Sequence, residues 1–161
     1  MDDKMIEQQL ESIVVNMTKH FLRQFDGLKV VGAWQTTKGD ENKAEERPDT
    51  KVVIGVKALP RTYETPTIPH AEIQIQMSLA VRADTDFNGK NYLNITTILS
   101  NMLQRWQSDI TTVDEFAISN QFDPTGFQLT GGDCGMDKDA VIWQWQQTFS
   151  IYGIIHPSWA E

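Results

Sequence analysis

Residues 71–84 read AEIQIQMSLAVRAD, and the alternation of apolar and polar side chains along this stretch decides the class of fold that we predict. In an extended strand, every second side chain lies on the same face of the sheet. The apolar positions are Ile73, Ile75, Met77, Leu79 and Val81, and the positions between them are Gln74, Gln76, Ser78, Ala80 and Arg82. We therefore predict a strand with one face toward the core and the other polar but nearly uncharged.

The next residues, 84–90, read DTDFNGK, and the first six have the D-x-D-x-N-G form that opens a calcium loop of the EF-hand type. Asp84, Asp86 and Asn88 would be the first ligands. The position that supplies a bidentate Glu in such loops is here Ile95, and the preceding segment is predicted as a strand rather than a helix. Because short polar residues before a helix accept hydrogen bonds from its free amides, we interpret the segment as a capped turn. A metal site at these three residues is the alternative.

Two amphipathic helices are predicted, one before the strand and one after it. Residues 5–25 and 90–108 each carry apolar side chains at steps of three and four, which place them on one side of a helix. In the first helix these are Ile6, Leu10, Ile13, Val14, Met17, Phe21 and Phe25, and in the second they are Ile95, Ile98, Leu99, Met102, Leu103 and Trp106. Both helices are expected to pack on a sheet.

A second long strand is predicted near the end of the chain, where residues 139–155 read DAVIWQWQQTFSIYGII. Sixteen of these residues, fully extended, would span about 50 Å, whereas a typical strand has only about 5 to 6 residues. We predict a weaker strand at 113–122, a turn at 122–127 (FDPTGF), and a flexible Gly- and Asp-rich hairpin loop at 130–140. Such a long strand is expected to reach a partner or to project as a hairpin arm.

The remaining segments complete a single predicted domain over residues 1–161. Strands are expected at about 28–35 and 51–59, because these stretches are rich in β-branched residues. Residues 36–50 hold only one apolar side chain and are predicted to form an exposed loop. Residues 60–70 contain three prolines and are predicted to be an extended connector. The predicted class is α+β, a mostly antiparallel sheet with two main helices on one side.

Composition favours a binding function over catalysis. The net charge of −8 would repel phosphate backbones, so sequence-specific nucleic acid binding is not expected. No apolar run approaches the roughly 20 residues that span a bilayer, and the acidic start is unlike a secretory signal, so neither a membrane partner nor export is expected. Cys134 is the single cysteine, and no cationic residue adjacent in the sequence would lower the pKa of its thiol. The histidines His20, His70 and His156 are scattered along the sequence, and we expect the last two to lie in surface turns. The sequence contains no Cys or His spacing typical of a zinc site, no Gly-rich phosphate-binding loop and no G-x-S-x-G nucleophile motif. We therefore predict no enzyme activity, no cofactor and no firm metal site.

The order of these elements resembles the small tail terminator and tail completion proteins of long-tailed bacteriophages. The likeness lies in IQMSLAVRAD (75–84), YLNITTILSNMLQRW (92–106) and AVIWQWQQTFSIYG (140–153). It implies an α+β subunit of a ring, hexameric in that family, that caps the tail tube and joins it to the head. It also implies assembly in the host cytoplasm, a place at the tail-head junction of the virion, tube and connector proteins as partners, and a ring through which DNA passes.

The residues expected at such interfaces are polar and lie in three parts of the sequence. They are Lys38, Asp40, Glu45 and Arg47 in the loop, Arg82, Asp84 and Asp86 after the central strand, and Gln144, Gln146 and Thr148 in the last strand. Two other functions stay open. A tail tube or neck subunit would share the long hairpins, and a monomeric ligand-binding α+β domain would need a pocket with converging polar groups.

Overall fold

Two helices lie on one face of a six-stranded sheet in the computed structural model, which describes residues 5–25, 27–35, 52–65, 68–82, 89–108, 122–137 and 142–155. The elements are α1 (Ile6–Phe21), β1 (Leu28–Gly32), a 3₁₀ turn (Ala33–Gln35), β2 (Val52–Ala58), β3 (Thr62–Thr65), β4 (Ile68–Arg82), α2 (Lys90–Ser108), β5 (Phe122–Asp137) and β6 (Ile142–Ile155). The strand order is β1-β2-β4-β6-β5, with β3 also paired to β4. All pairings are antiparallel except β1 with β2. The predicted α+β class is confirmed.

Strand β4 is the centre of the sheet, as its alternating sequence suggests. Its alternating apolar side chains from Ile73 to Val81 are buried in the core, with Ile73 and Ile75 fully so. On one side β4 pairs with β6 from His70 to Arg82, and on the other it pairs with β2 and then β3. The predicted extended connector at 60–70 includes β3 and the start of β4. Prolines are tolerated in this segment because the fixed φ of proline is compatible with an edge strand.

The hairpin of β5 and β6 differs from the sequence expectation in its first strand. The predicted turn at 122–127 and much of the predicted loop at 130–140 are wrong, because β5 runs through both from Phe122 to Asp137. Two irregularities, at Pro124/Gly126 and Leu129/Gly131, take up the extra residues as β-bulges do. Pairing with β6 supplies the backbone hydrogen bonds that a local turn would otherwise have supplied. The predicted strand at 113–122 and loop at 36–50 lie outside the described residues, apart from Phe122.

Aromatic residues join α2 to the hairpin. Trp106 of α2 is buried, with its ring centroid 5.6 Å from that of Phe127 and 6.0 Å from that of Phe149. Phe127 and Phe149 stack at 5.1 Å across the two strands. Offset and edge-on contacts of this kind add to the stabilisation from apolar burial. This cluster holds α2 on one face of the hairpin and leaves the opposite face to other contacts.

Two glutamates fix α1 to the other half of the sheet. Glu11 is fully buried, and its carboxylate accepts the amides of Ala33 at 3.1 Å, Trp34 at 2.8 Å and Ala58 at 3.4 Å. One turn earlier, Glu7 forms a bidentate ion pair with Arg61, with a shortest distance of 2.7 Å. The helix therefore binds both the 3₁₀ turn and the β2–β3 junction. Neither of the two described helices combines the length and the apolar character of a membrane span.

Candidate interaction surface

The sheet face opposite the helices carries a patch of neutral polar side chains, which we call the amide face. It consists of Gln74, Gln76 and Ser78 of β4 with Gln144, Gln146 and Thr148 of β6. All but Thr148 are exposed, and Thr148 is half-buried. No described helix covers this face, since the apolar positions that alternate with these residues are the ones packed under α1 and α2. The two central strands of the sheet thus present an open polar surface.

Strand register arranges the amide face in rows across the sheet. Gln76 lies opposite Thr148, and Ser78 lies opposite Gln146. On its other side Ser78 faces Gly55 of β2, where a β-carbon added to the glycine would lie only 2.9 Å from the serine hydroxyl. Small residues in the middle and glutamines around them leave a shallow depression of about 590 Å³. A glycine at position 55 thus keeps the floor of this depression low.

Charges lie at the margins of the amide face and not in its middle. Lys57 of β2 is opposite Gln76 on one side, and Asp133 of β5 is opposite Gln146 on the other. Glu72, farther along β4, accepts a 2.6 Å hydrogen bond from the buried hydroxyl of Ser150. Depletion of charge at the centre and polar groups at the rim are features of protein–protein contact surfaces. The amide groups can donate and accept hydrogen bonds, directly or through water, at little desolvation cost compared with ions.

At one end of this surface, His70 contacts side chains of β5 and β6. The sequence predicts His70 in a surface turn, but it lies in β4. Its ring stacks on Tyr152 with centroids 6.4 Å apart, and its Nε2 lies 2.7 Å from the hydroxyl of Thr125. The Tyr152 hydroxyl donates to the side-chain oxygen of Gln128 at 3.4 Å. The expectation failed because pairing of β3 with β4 carries the strand past Pro69.

At the other end, Tyr92 ties α2 to the backbone of β6. Its hydroxyl donates to the carbonyl oxygen of Gln144 at 2.6 Å, and its ring stacks on Trp143 at 5.8 Å. Burial, reinforced by the neighbouring Cys134 and Asp133, raises the pKa of the Tyr92 phenol. The hydrogen bond fixes the backbone from which the exposed Gln144 side chain extends. Cys134 itself is an exposed free thiol on β5.

The structure brings together only some of the interface residues predicted from the sequence. Gln144, Gln146 and Thr148 lie side by side on the amide face, and the exposed Arg82 is at the end of β4, opposite Ile142. Residues Lys38, Asp40, Glu45, Arg47, Asp84, Asp86 and Asn88 lie outside the described residues. Sequence reasoning did not assign Gln74, Gln76 and Ser78 to the interface, although their alternation in β4 is the same signal that identified the residues in β6.

No cluster of metal-ligating side chains is found in the part of the chain that the structure describes. No group of three or more His, Cys, Asp or Glu side chains there is placed to hold a metal ion. The start of α2 is described from Gly89, whose φ of 70° is the left-handed conformation that suits a strand-to-helix turn. The ring of Trp143 packs 3.7 Å from the position where a β-carbon of residue 89 would be.

Comparisons with known proteins give a distant structural likeness. No protein-family model matches the sequence, and no curated protein matches it. Among solved structures, a chain of one described as "Virion of native gene transfer agent (GTA) particle" is similar, with a TM-score of 0.48 and 10% identity, over 92% of this chain and 91% of that one. A likeness this distant does not by itself identify what the chain does.

Proposed function

We propose that this protein is a structural protein of a phage-like virion that works by binding, and more specifically a tail terminator. It would form a ring that caps the tail tube and joins it to the head. The resemblance noted in the sequence implies this role, and the observation that supports it best is the amide face. A wide, neutral sheet face that neither described helix covers is the kind of surface that a subunit of a larger assembly presents to its neighbours.

The length of the strands also favours an assembly subunit over an isolated domain. β4, β5 and β6 have 15, 16 and 14 residues, about three times the usual strand length. Strands of this length expose more sheet than the two described helices cover, which leaves a second surface for partners. The same surface contains the 590 Å³ depression, which is the observation that favours a ligand-binding domain as a second candidate.

The net charge of −8 fits a ring around DNA better than a protein that grips DNA. Negative side chains facing a channel would repel the phosphate backbone and let DNA slide through. In the proposed role the DNA is therefore cargo that passes, and no base contacts are required. The protein partners would be copies of this chain, the tube protein and the connector proteins, at the tail-head junction.

The first experiment is the mass of the protein in solution by light scattering after gel filtration, combined with negative-stain images. Closed rings of one size support a terminator, and open-ended stacks would replace it with a tube subunit. A monomer at every concentration, with or without tail tubes added, would contradict both and favour the ligand-binding domain.

Matched variants then test whether the amide face is the contact surface. Gln146→Arg places a charge in its middle, and Asn101→Arg places the same charge at an exposed position of α2 on the opposite side of the sheet. We expect the first variant to impair assembly or tube binding at least tenfold and the second to leave both unchanged. Equal effects would show that the amide face has no special part in assembly.

A further inference from the structure

In the part of the chain that the structure describes, the sheet ends at two edge strands, and the charged residues of these two strands have opposite signs. Among the described strands β1 forms one edge and β5 the other. The charged residues of β5 are all acidic, namely Asp123, Asp133 and Asp137. The one charged residue of β1 is Lys29. An edge strand of a sheet can act as a template for pairing with a strand of another chain.

The directions of the two edge strands also suit each other. β1 runs parallel to β2, and each later step across the sheet, to β4, β6 and β5, reverses direction. β1 and β5 therefore run in opposite directions. Copies of a closed ring are related by rotation without translation. If the rotation axis is parallel to the strands, β5 of one copy meets β1 of the next as an antiparallel neighbour.

Register within one copy fixes which residues would meet. One row across the sheet joins Val31, Gly55, Ser78, Gln146 and Asp133. In the next row, Val30 of β1 is level with Cys134 of β5. In the row after that, Lys29 is level with Gly135. In a ring without axial shift, β1 of one copy is therefore level with residues 132–136 of its neighbour.

We propose that copies of this chain join edge to edge, with β1 of one copy pairing antiparallel to residues 132–136 of β5 in the next. This rests on the ring proposed above and names the contact that forms it. Lys29 would then lie diagonally across from Asp133 of the neighbouring copy, a separation of about 7 to 8 Å between α-carbons that a lysine side chain spans. Within its own chain, the exposed carboxylate of Asp133 accepts a hydrogen bond from the backbone amide of Cys134 at 2.8 Å.

Pairing of this kind explains how the two edges would be protected. Each ring contact covers one β1 edge and one β5 edge, so a closed ring leaves neither edge exposed at that level. It also leaves the amide face uncovered, so this face stays available to the tube or the connector. The two surfaces thus have different partners, a second copy at the edges and other proteins on the amide face.

The first test is a charge exchange. Lys29→Asp and Asp133→Lys should each weaken ring formation by about tenfold or more, and the double variant should recover most of the loss, since each single change sets like charges against each other. Asp123→Lys is the control for Asp133→Lys, because both variants change the net charge by the same amount and residue 123 lies ten residues away along β5. Circular dichroism confirms that each variant is folded.

The second test uses the single native cysteine. Opposite residues of antiparallel strands have α-carbons about 4.5 to 5.5 Å apart, within the range that a disulfide bridges. Val30→Cys treated with diamide, which takes up the two thiol hydrogens, should therefore form covalent multimers through Cys134. Adding Cys134→Ser should abolish them.

Each result has a distinct meaning. Rings that form but neither respond to the charge exchange nor cross-link at positions 30 and 134 overturn the edge pairing and leave the proposed function standing. Efficient cross-linking of the unmodified protein through Cys134 alone would indicate pairing of β5 with β5 and would also overturn it. A folded protein that never forms rings, alone or with tubes, overturns both proposals.

Discussion

Two carboxylates on α1 show how single residues decide the packing of this protein. Glu11 appears in the sequence as one of several polar positions in an amphipathic helix, with nothing to mark it as buried. In the structure it accepts three backbone amides from the 3₁₀ turn and the end of β2. Such partners come from residues more than 20 positions away, so local sequence patterns do not reveal them.

Removing the Glu11 side chain should therefore destabilise the fold. Glu11→Ala leaves three amides without their acceptor, and each unsatisfied buried group costs about 1 to 3 kcal/mol. We expect a loss of at least about 2 kcal/mol in the free energy of unfolding, measured by urea denaturation with Trp fluorescence. Asn16→Ala, at an exposed position of the same helix, should change stability by less than about 1 kcal/mol. A loss as small for Glu11→Ala would contradict the anchoring role.

Glu7 and Glu11 should also give opposite pH dependences. Burial raises the pKa of Glu11 above its ordinary 4.5, although the amides of Trp34, Ala58 and Ala33 act against this. Its contribution to stability is thus full below about pH 4.5 and declines as the pH rises through the higher folded-state pKa. For Glu7, burial acts to raise the pKa, but hydrogen bonds from Arg61 outweigh it and leave the pKa below 4.5. Its contribution is present above about pH 4.5 and is lost as the pH falls through the folded-state value.

Urea denaturation of Glu7→Gln and Glu11→Gln from about pH 3 to pH 8 checks these signs. The stability difference from the unmodified protein should grow with pH for the first variant and shrink with pH for the second. Parallel curves for the two variants would show that the two carboxylates do not differ in environment as described.

At the scale of elements, the sequence predicts what local patterns control. The bounds of α2 are those predicted, and β2 and β4 are close, because each has a strong apolar period of its own. The hairpin is different. Its first strand, β5, contains Pro124, Gly126 and a Gly-rich stretch, and residues of these types favour turns. Their strand conformation depends on pairing with β6, which is stronger than the local preference. For the amide face, the alternation that places Gln76 of β4 and Gln146 of β6 on one face of a strand is visible in the sequence, but the pairing that brings the two strands together is not.

The pairing of β5 with β6 can be tested at Gly153. A β-carbon at this position would collide with the ring of Phe122 and lie 2.7 Å from the carbonyl oxygen of Asp123. Gly153→Ala must therefore displace the start of β5, and we expect a loss of about 1 to 3 kcal/mol in unfolding free energy. Gly131→Ala in the partner strand is the control, because nothing lies within 4 Å of its β-carbon position. A fully stable Gly153→Ala protein would mean that β5 is not held against β6 at this end.

At the scale of the whole molecule, two electrostatic effects compete during assembly. Each copy carries a net charge of −8, so copies repel one another over tens of ångströms at low salt. The proposed contact of Lys29 with Asp133 attracts, but only over a few ångströms and through one pair. The long-range repulsion involves many charges and should therefore dominate at low ionic strength.

Assembly should consequently become stronger when salt is first added. The Debye length falls from about 30 Å at 0.01 M to about 8 Å at 0.15 M, which screens the repulsion between copies more than a contact pair. We expect the ring fraction measured by light scattering to rise over this range and then to level off or fall slightly toward 1 M, as the contact pair is also screened. The Lys29→Asp and Asp133→Lys double variant has the same net charge and should follow the same curve. A ring fraction that falls steadily from the lowest salt would instead mean that ring assembly depends mainly on attraction between charges, with backbone pairing contributing little.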